Sequence, residues 1–289
     1  MRLLNLSKPY RLLLPSLLFF LVFTLMGAVL VLVQSLEAPG GTAESGFDNY
    51  IRLLHSADFY AAAGITLRIG LLSTVLSLLF GTAIARYLST YAKAAGWTSP
   101  VWLPLMLPHF AAAYIMVLLL APSGWVSGAL YQLGLLSAPS QFPVLINDQQ
   151  GIGIILAYLW KEVPFVVLML MPVFQLQDRR YTDVVRTLGG GEWEVFKTVQ
   201  LPMLAPVLVE TGLLIFAFIF SAFEVPYLLG VTYPKMLPVM AFRLFYAGDW
   251  SSRPEAMAVM TVTTAVILVI ALVIVLLMQT RRYRTMRGR

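Results

Sequence analysis

Apolar residues run through this chain in long, nearly unbroken blocks separated by short polar stretches, without the period of an amphipathic helix or the alternation of a half-buried strand. A helix that crosses a bilayer needs about 20 mostly apolar residues. Six blocks reach that length, over about 12–36, 61–85, 101–121, 151–174, 203–229 and 256–279. The pattern predicts an all-α membrane protein with six transmembrane helices, in one transmembrane domain covering residues 1–289. Lys8 and Arg11 before the first block resemble the basic flank of a signal peptide, but that block is well beyond the 7–15 residues of a secretory core. It reads as a span.

Composition agrees with lipid as the solvent. Hydrophobic residues make up 59% and charged residues 12% of the chain, against about 25% charged in a soluble domain. No cysteine is present, which excludes disulfides and thiolate metal sites. The net charge of +6 points to topology and not to nucleic acid, because of where the charges lie. With six spans both termini share a side, and that side collects 14 of the 20 lysines and arginines, in the two ends and in segments 86–100 and 175–202. The positive-inside rule then places both termini in the cytoplasm. The basic tail "RRYRTMRGR" reads as an anchor against anionic lipid. The external segments, about 37–59, 122–150 and 230–255, are punctuated by Pro, Gly and Ser and carry Tyr233, Phe245, Tyr246 and Trp250. Those aromatics suit an interfacial belt or the docking surface of an outside partner.

The polar stretch between the fourth and fifth blocks is longer than a connector requires. "DRRYTDVVRTLG" predicts a short helix starting near Asp178 or Thr182 and stopped by Gly189–Gly191. "EWEVFKTV" predicts a second short helix, acidic at its start and basic toward its end, with Val195, Phe196 and Val199 as an apolar stripe and Trp193 beside it. Pro202 then falls in the first turn of the next span, where its missing N–H costs least. The expected object over about 178–202 is a rigid helix–glycine–helix elbow on the cytoplasmic surface. Its three glycines are not a phosphate loop: Glu192 and Glu194 follow them, and no Gly-Lys-Ser/Thr occurs.

"TDVVRTLGGGEWEVFKTVQLPMLAP" resembles the EAA loop of permease subunits of binding-protein-dependent ABC importers. Asp183, Val184 and Val185 stand at the Glu-Ala-Ala positions and Gly189 at the glycine. Gly190 replaces an alanine, Trp193 and Phe196 fill the aromatic positions, and Leu201, Pro202 and Pro206 close the pattern without a gap. "WKEVPF", in the preceding span, resembles the same family, and the six-span layout extends the likeness to the whole chain. The resemblance implies a MetI-like permease fold whose loop between spans 4 and 5 is a coupling helix seated in a cytoplasmic ATPase. It further implies a second permease subunit, identical or paralogous, two ATPase subunits that bind ATP and Mg, and an extracytoplasmic substrate-binding protein. This chain would hold no cofactor, no metal and no catalytic residue, and would work by alternating access. Asp183, Gly189, Glu192, Trp193, Phe196, Leu201 and Pro202 are the coupling residues so implied. The branch it most resembles imports spermidine/putrescine, ferric iron, thiamine, phosphonate or sulfate.

Ionisable groups at membrane depth are costly and read as facing a cavity or a partner. Glu210 and Glu224, 14 residues apart in one predicted helix, return to nearly the same face. Tyr158, Glu162 and Phe165 share a face of the fourth span. Acidic and aromatic groups along a path favour a polyamine or similar small charged solute. The bland alternative is ion pairing, of Glu162 with Arg68 or of Glu210 with a partner. His109, beside Pro108, reads as packed or interfacial. Two other classes were weighed. An ion-driven secondary transporter would use the same carboxylates, but no inverted repeat is visible. An intramembrane enzyme would need a convergent catalytic cluster, and the sequence holds no metal-ligand or nucleophile–base pattern.

Overall fold

The computed structural model describes residues 8–37, 47–91, 99–247 and 250–287. In chain order its helices are α1 (Lys8–Ser35), α2 (Phe47–His55), α3 (Ala57–Tyr91), α4 (Ser99–Met106), α5 (His109–Leu120), α6 (Trp125–Gln132), α7 (Ile152–Leu176), α8 (Arg179–Thr187), α9 (Glu192–Val195), α10 (Leu201–Ser221), α11 (Glu224–Leu229), α12 (Leu237–Phe245) and α13 (Arg253–Arg287). The described residues are all-helical, without strands, and six stretches are long and apolar enough to cross a membrane.

The chain divides into two units, Met1–Ala57 with Met240–Ala265, and Asp58–Val239 with Val266–Arg289. In the first, α1 exposes every large apolar side chain from Leu12 to Leu30. Its C-terminus is tied down by polar contacts: the buried Asn49 amide donates to the carbonyls of Ser35 (3.0 Å) and Glu37 (2.9 Å), and Ser35 Oγ pairs with Tyr50. Orphaned carbonyls at a helix end need such partners. At the start of α13, the Arg253 guanidinium lies 3.6 Å from the Trp250 ring centroid and 4.8 Å from that of Phe245.

The second unit is organised around α7, whose Ile154, Ala157, Tyr158, Val166 and Leu170 are buried against α4, α5, α10 and α11. Helix α3 approaches α7 closely at Gly81, where a Cβ would stand 2.5 Å from the Val166 side chain. Small residues permit this approach between helices in lipid, where van der Waals packing drives association. Arg68 does not pair with Glu162. Its guanidinium donates to the carbonyls of Gln149 (3.3 Å) and Gln150 (2.6 Å), holding the turn before α7. Asp148 in that turn accepts from the N–H groups of Ile152 (2.8 Å) and Gly153 (3.3 Å), capping the helix.

Two predicted blocks are broken. Where the sequence predicts a span over 101–121, α4 ends at Met106 and α5 begins at His109; the long apolar stretch here is His109–Gln132. Pro108 has no N–H to donate back into the helix and turns Leu107 out of helical geometry. Where it predicts one span over 203–229, α10 ends at Ser221 and a bend at Ala222 and Phe223 precedes α11. Glu210 and Glu224 therefore sit on different helices, which removes the shared face that their 14-residue spacing predicts.

Candidate functional site

The elbow between α7 and α10 is built from local rules. Asp178 caps α8 by accepting from the Arg180 N–H at 3.0 Å. The helix is closed by a pair of bonds, Gly189 N–H to Arg186 O and Gly190 N–H to Val185 O, both 3.0 Å, with Gly189 at φ +85°. This is the Schellman arrangement, and its left-handed residue favours glycine. Glu194 then accepts from the Gly191 N–H at 2.9 Å, starting α9. The second helix runs on into the span past Pro202. A π turn over Phe196–Gln200, with Leu201 N–H donating to Phe196 O, joins α9 to α10 without a break. The extra residue makes room for the Pro202 ring, which has no N–H and would crowd the preceding turn of an α-helix.

Glu192 pins this elbow to α3. Its carboxylate accepts from Arg186 Nη2 at 2.6 Å, and Arg86 Nη2 donates to its carbonyl at 2.7 Å and lies 3.4 Å from its carboxylate. The hydrogen bond that Arg186 donates to Glu192, reinforced by the carboxylate's charge, raises the Arg186 pKa above its ordinary value. Arg86 also lies 5.0 Å from the Phe196 ring centroid, so Phe196 is half-buried. Val195 is buried, whereas Trp193 is 64% exposed. The predicted stripe of Val195, Phe196 and Val199 thus turns inward as a unit, and the exposed apolar face is made instead by Trp193 beside it with Tyr181, Val184 and Leu188. Asp183, Leu201 and Pro202 are exposed as well.

A second site lies at the break in the third apolar block. A cleft of about 300 Å³ is lined by Leu105, His109, Lys161, Glu162, Phe165, Leu214, Ile215 and Phe218. Lys161 is buried and its ammonium donates to the carbonyls of Pro104 and Leu107, each at 2.6 Å. Pro104 O is the acceptor that a helical residue 108 would have satisfied; proline cannot, and the lysine takes its place. His109 opens α5, stacks on Phe218 at 4.6 Å between centroids, and holds Nε2 3.6 Å from Glu162 Oε1. Tyr158 is wholly buried, its hydroxyl without a hydrogen bond and its ring edge-on to Phe218 at 6.5 Å. Glu162 alone of the four predicted pathway residues lines the cleft; Tyr158 is buried behind it, and Glu210 and Glu224 are exposed elsewhere on α10 and α11. Among the described residues no three His, Asp or Glu side chains gather as a metal site.

The family pattern of binding-protein-dependent transport system inner membrane components matches residues 98–285, which hold both the elbow and the cleft. The chain belongs to this family. The permease is 30% identical over 187 residues to the molybdenum transport system permease protein ModB of Azotobacter vinelandii, covering 64% of this chain and 79% of that one. It is 26% identical to the trehalose/maltose transport system permease protein MalF of Thermococcus litoralis, over 71% of this chain and 70% of the relative. In fold it resembles a bacterial ABC transporter involved in the import of alginate, with a TM-score of 0.76, 21% identity and 94% of both chains covered. It is therefore a multi-pass inner-membrane permease of a binding-protein-dependent ABC system.

Sequence reasoning missed Arg86 and Arg186 as elbow residues and His109 as a cleft residue. Arg186 and Glu192 are six apart across three glycines, outside any helical pairing rule. Arg86 is 106 residues from its partner.

Proposed function

We propose that this permease subunit forms the translocation path for a small polar or charged solute, handed to it by an extracytoplasmic binding protein. The elbow faces the cytoplasm and seats in a separate ATPase subunit, which binds ATP and Mg. Two such ATPases and a second permease subunit complete the machine, and ATP-driven closure rocks the spans between inward- and outward-facing states. The observation that carries this reading is the elbow itself. It projects an exposed apolar face (Trp193, Leu188, Tyr181), is rigidly closed at Gly189, is clamped to α3 through Glu192, and runs unbroken into α10. A stiff lever continuous with a span is what a push from outside the membrane requires. The relatives' names range from molybdenum to trehalose and maltose, so they do not choose the solute.

The test is ATP hydrolysis by the complex reconstituted with its ATPase and binding protein. Trp193→Ala removes an exposed aromatic anchor, a class of residue whose loss costs about 2 kcal/mol or more at an interface. Stimulation by the loaded binding protein should fall while the permease stays folded. Gly189→Val, strained by about 1–2 kcal/mol in the left-handed region, should uncouple without dissociating the ATPase. Full stimulation in both variants would reduce the elbow to a connector.

A further inference from the structure

We infer that the cleft at the break in the third apolar block is a passenger station for solutes that donate hydrogen bonds, polyols or ammonium compounds, and that it disfavours bare oxyanions. This rests on the importer reading and adds the chemistry of what passes. The argument starts from polar groups that the fold leaves unserved. Glu162 is 7% exposed, yet its carboxylate makes no hydrogen bond among the described residues, and His109 Nε2 at 3.6 Å is beyond hydrogen-bond distance. His109 Nε2 is itself buried without a hydrogen bond among the described residues. A carboxylate on the cleft wall and a buried ring nitrogen short of a hydrogen bond thus face the same space, where an occupant can serve both.

The one buried cation beside them does not balance the account. The Lys161 ammonium is turned toward the interrupted helix and spends its donors on Pro104 O and Leu107 O. What an occupant meets is thus the Glu162 carboxylate, the His109 ring, the Lys161 side chain with its ammonium turned to the two carbonyls, and the apolar walls of Phe165, Phe218, Leu105 and Leu214. Acceptors beside aromatic faces suit a solute with O–H or N–H donors and a weakly hydrated side. A bare oxyanion would bring its charge against Glu162. The volume of about 300 Å³ is roughly ten waters' share of liquid, enough for a small organic solute.

The chain has no cysteine, which makes a direct test available. Leu214→Cys places one thiol per copy of this chain on the cleft wall, and labelling of this subunit is read by mass spectrometry in the assembled transporter in nanodiscs. Its labelling rate is measured with three methanethiosulfonates, carrying an ammonium, a glucosyl or a sulfonate group. Each rate is normalised to that of Leu133→Cys, an exposed position outside the cleft. We expect the ammonium or the glucosyl reagent to lead the sulfonate by about tenfold, the scale on which a charged cleft concentrates its ligands. Combining Leu214→Cys with Glu162→Gln or Glu162→Leu identifies the source of the preference. An ammonium preference disappears in both variants; a polyol preference survives glutamine, which still accepts, and disappears in leucine. Equal or faster labelling by the sulfonate, a ranking untouched by either variant, or no labelling at all overturns the proposal. The measurement needs neither ATP nor binding protein, so its failure leaves the coupling test standing, and the reverse also holds.

Discussion

At the scale of single residues, the same chemical type serves opposite ends. Glu162 and Lys161 are neighbours in sequence and both are buried in α7, but the lysine holds two backbone carbonyls while the carboxylate makes no hydrogen bond among the described residues and has only His109 Nε2 beside it, at 3.6 Å. That difference decides which is architectural. Lys161→Met should leave the Pro104 and Leu107 carbonyls unpaired in an apolar interior, at about 1–3 kcal/mol for each group. The purified complex should melt several degrees lower, and Lys161→Arg, which retains donors, should lose less. An unchanged melting temperature for the methionine variant would mean that the carbonyls find water and that the lysine is dispensable. A reader of the sequence sees Lys161 and Pro108 as separate oddities 53 residues apart, and nothing in either shows that one supplies the hydrogen bond the other lacks.

At the scale of elements, the elbow was largely legible because its rules are local. The stop at Gly189, the cap at Asp178 and the glycine–glutamate start of α9 depend on residues within six positions of one another. The inward turn of Phe196 was not legible, because Arg86 arrives from α3. This cross-element contact makes its own prediction. Arg86→Gln removes the donor that holds the Glu192 carbonyl and leaves the Arg186 pair in place. With Glu192 largely exposed and the pair screened, the loss is about 1 kcal/mol at most. Amide exchange over Gly191–Val195 should speed up by about fivefold, the factor such an energy gives, with α8 unaffected. Exchange unaltered across the elbow would show that Arg186 alone sets its angle.

At the scale of the whole molecule, the membrane fixes what must be true of every span and the basic residues predict which way they run. A cytoplasmic reporter fused after Arg289 should be active, and an alkaline phosphatase inserted near Ser137 should be active on the other face. Reversed activities would invert the map and put the elbow on the wrong side for an ATPase. By itself the sequence determined the helical class, the existence of six long apolar stretches and the elbow's place between the fourth and fifth, since length, hydropathy and turn chemistry act along the chain. Only the tertiary structure decided where those stretches break, that Glu210 and Glu224 part company while His109 and Glu162 meet, and that Lys161 turns to the backbone of the broken helix. Inside lipid a polar side chain takes its meaning from the backbone or side-chain groups that face it, and those come from helices far away in the sequence.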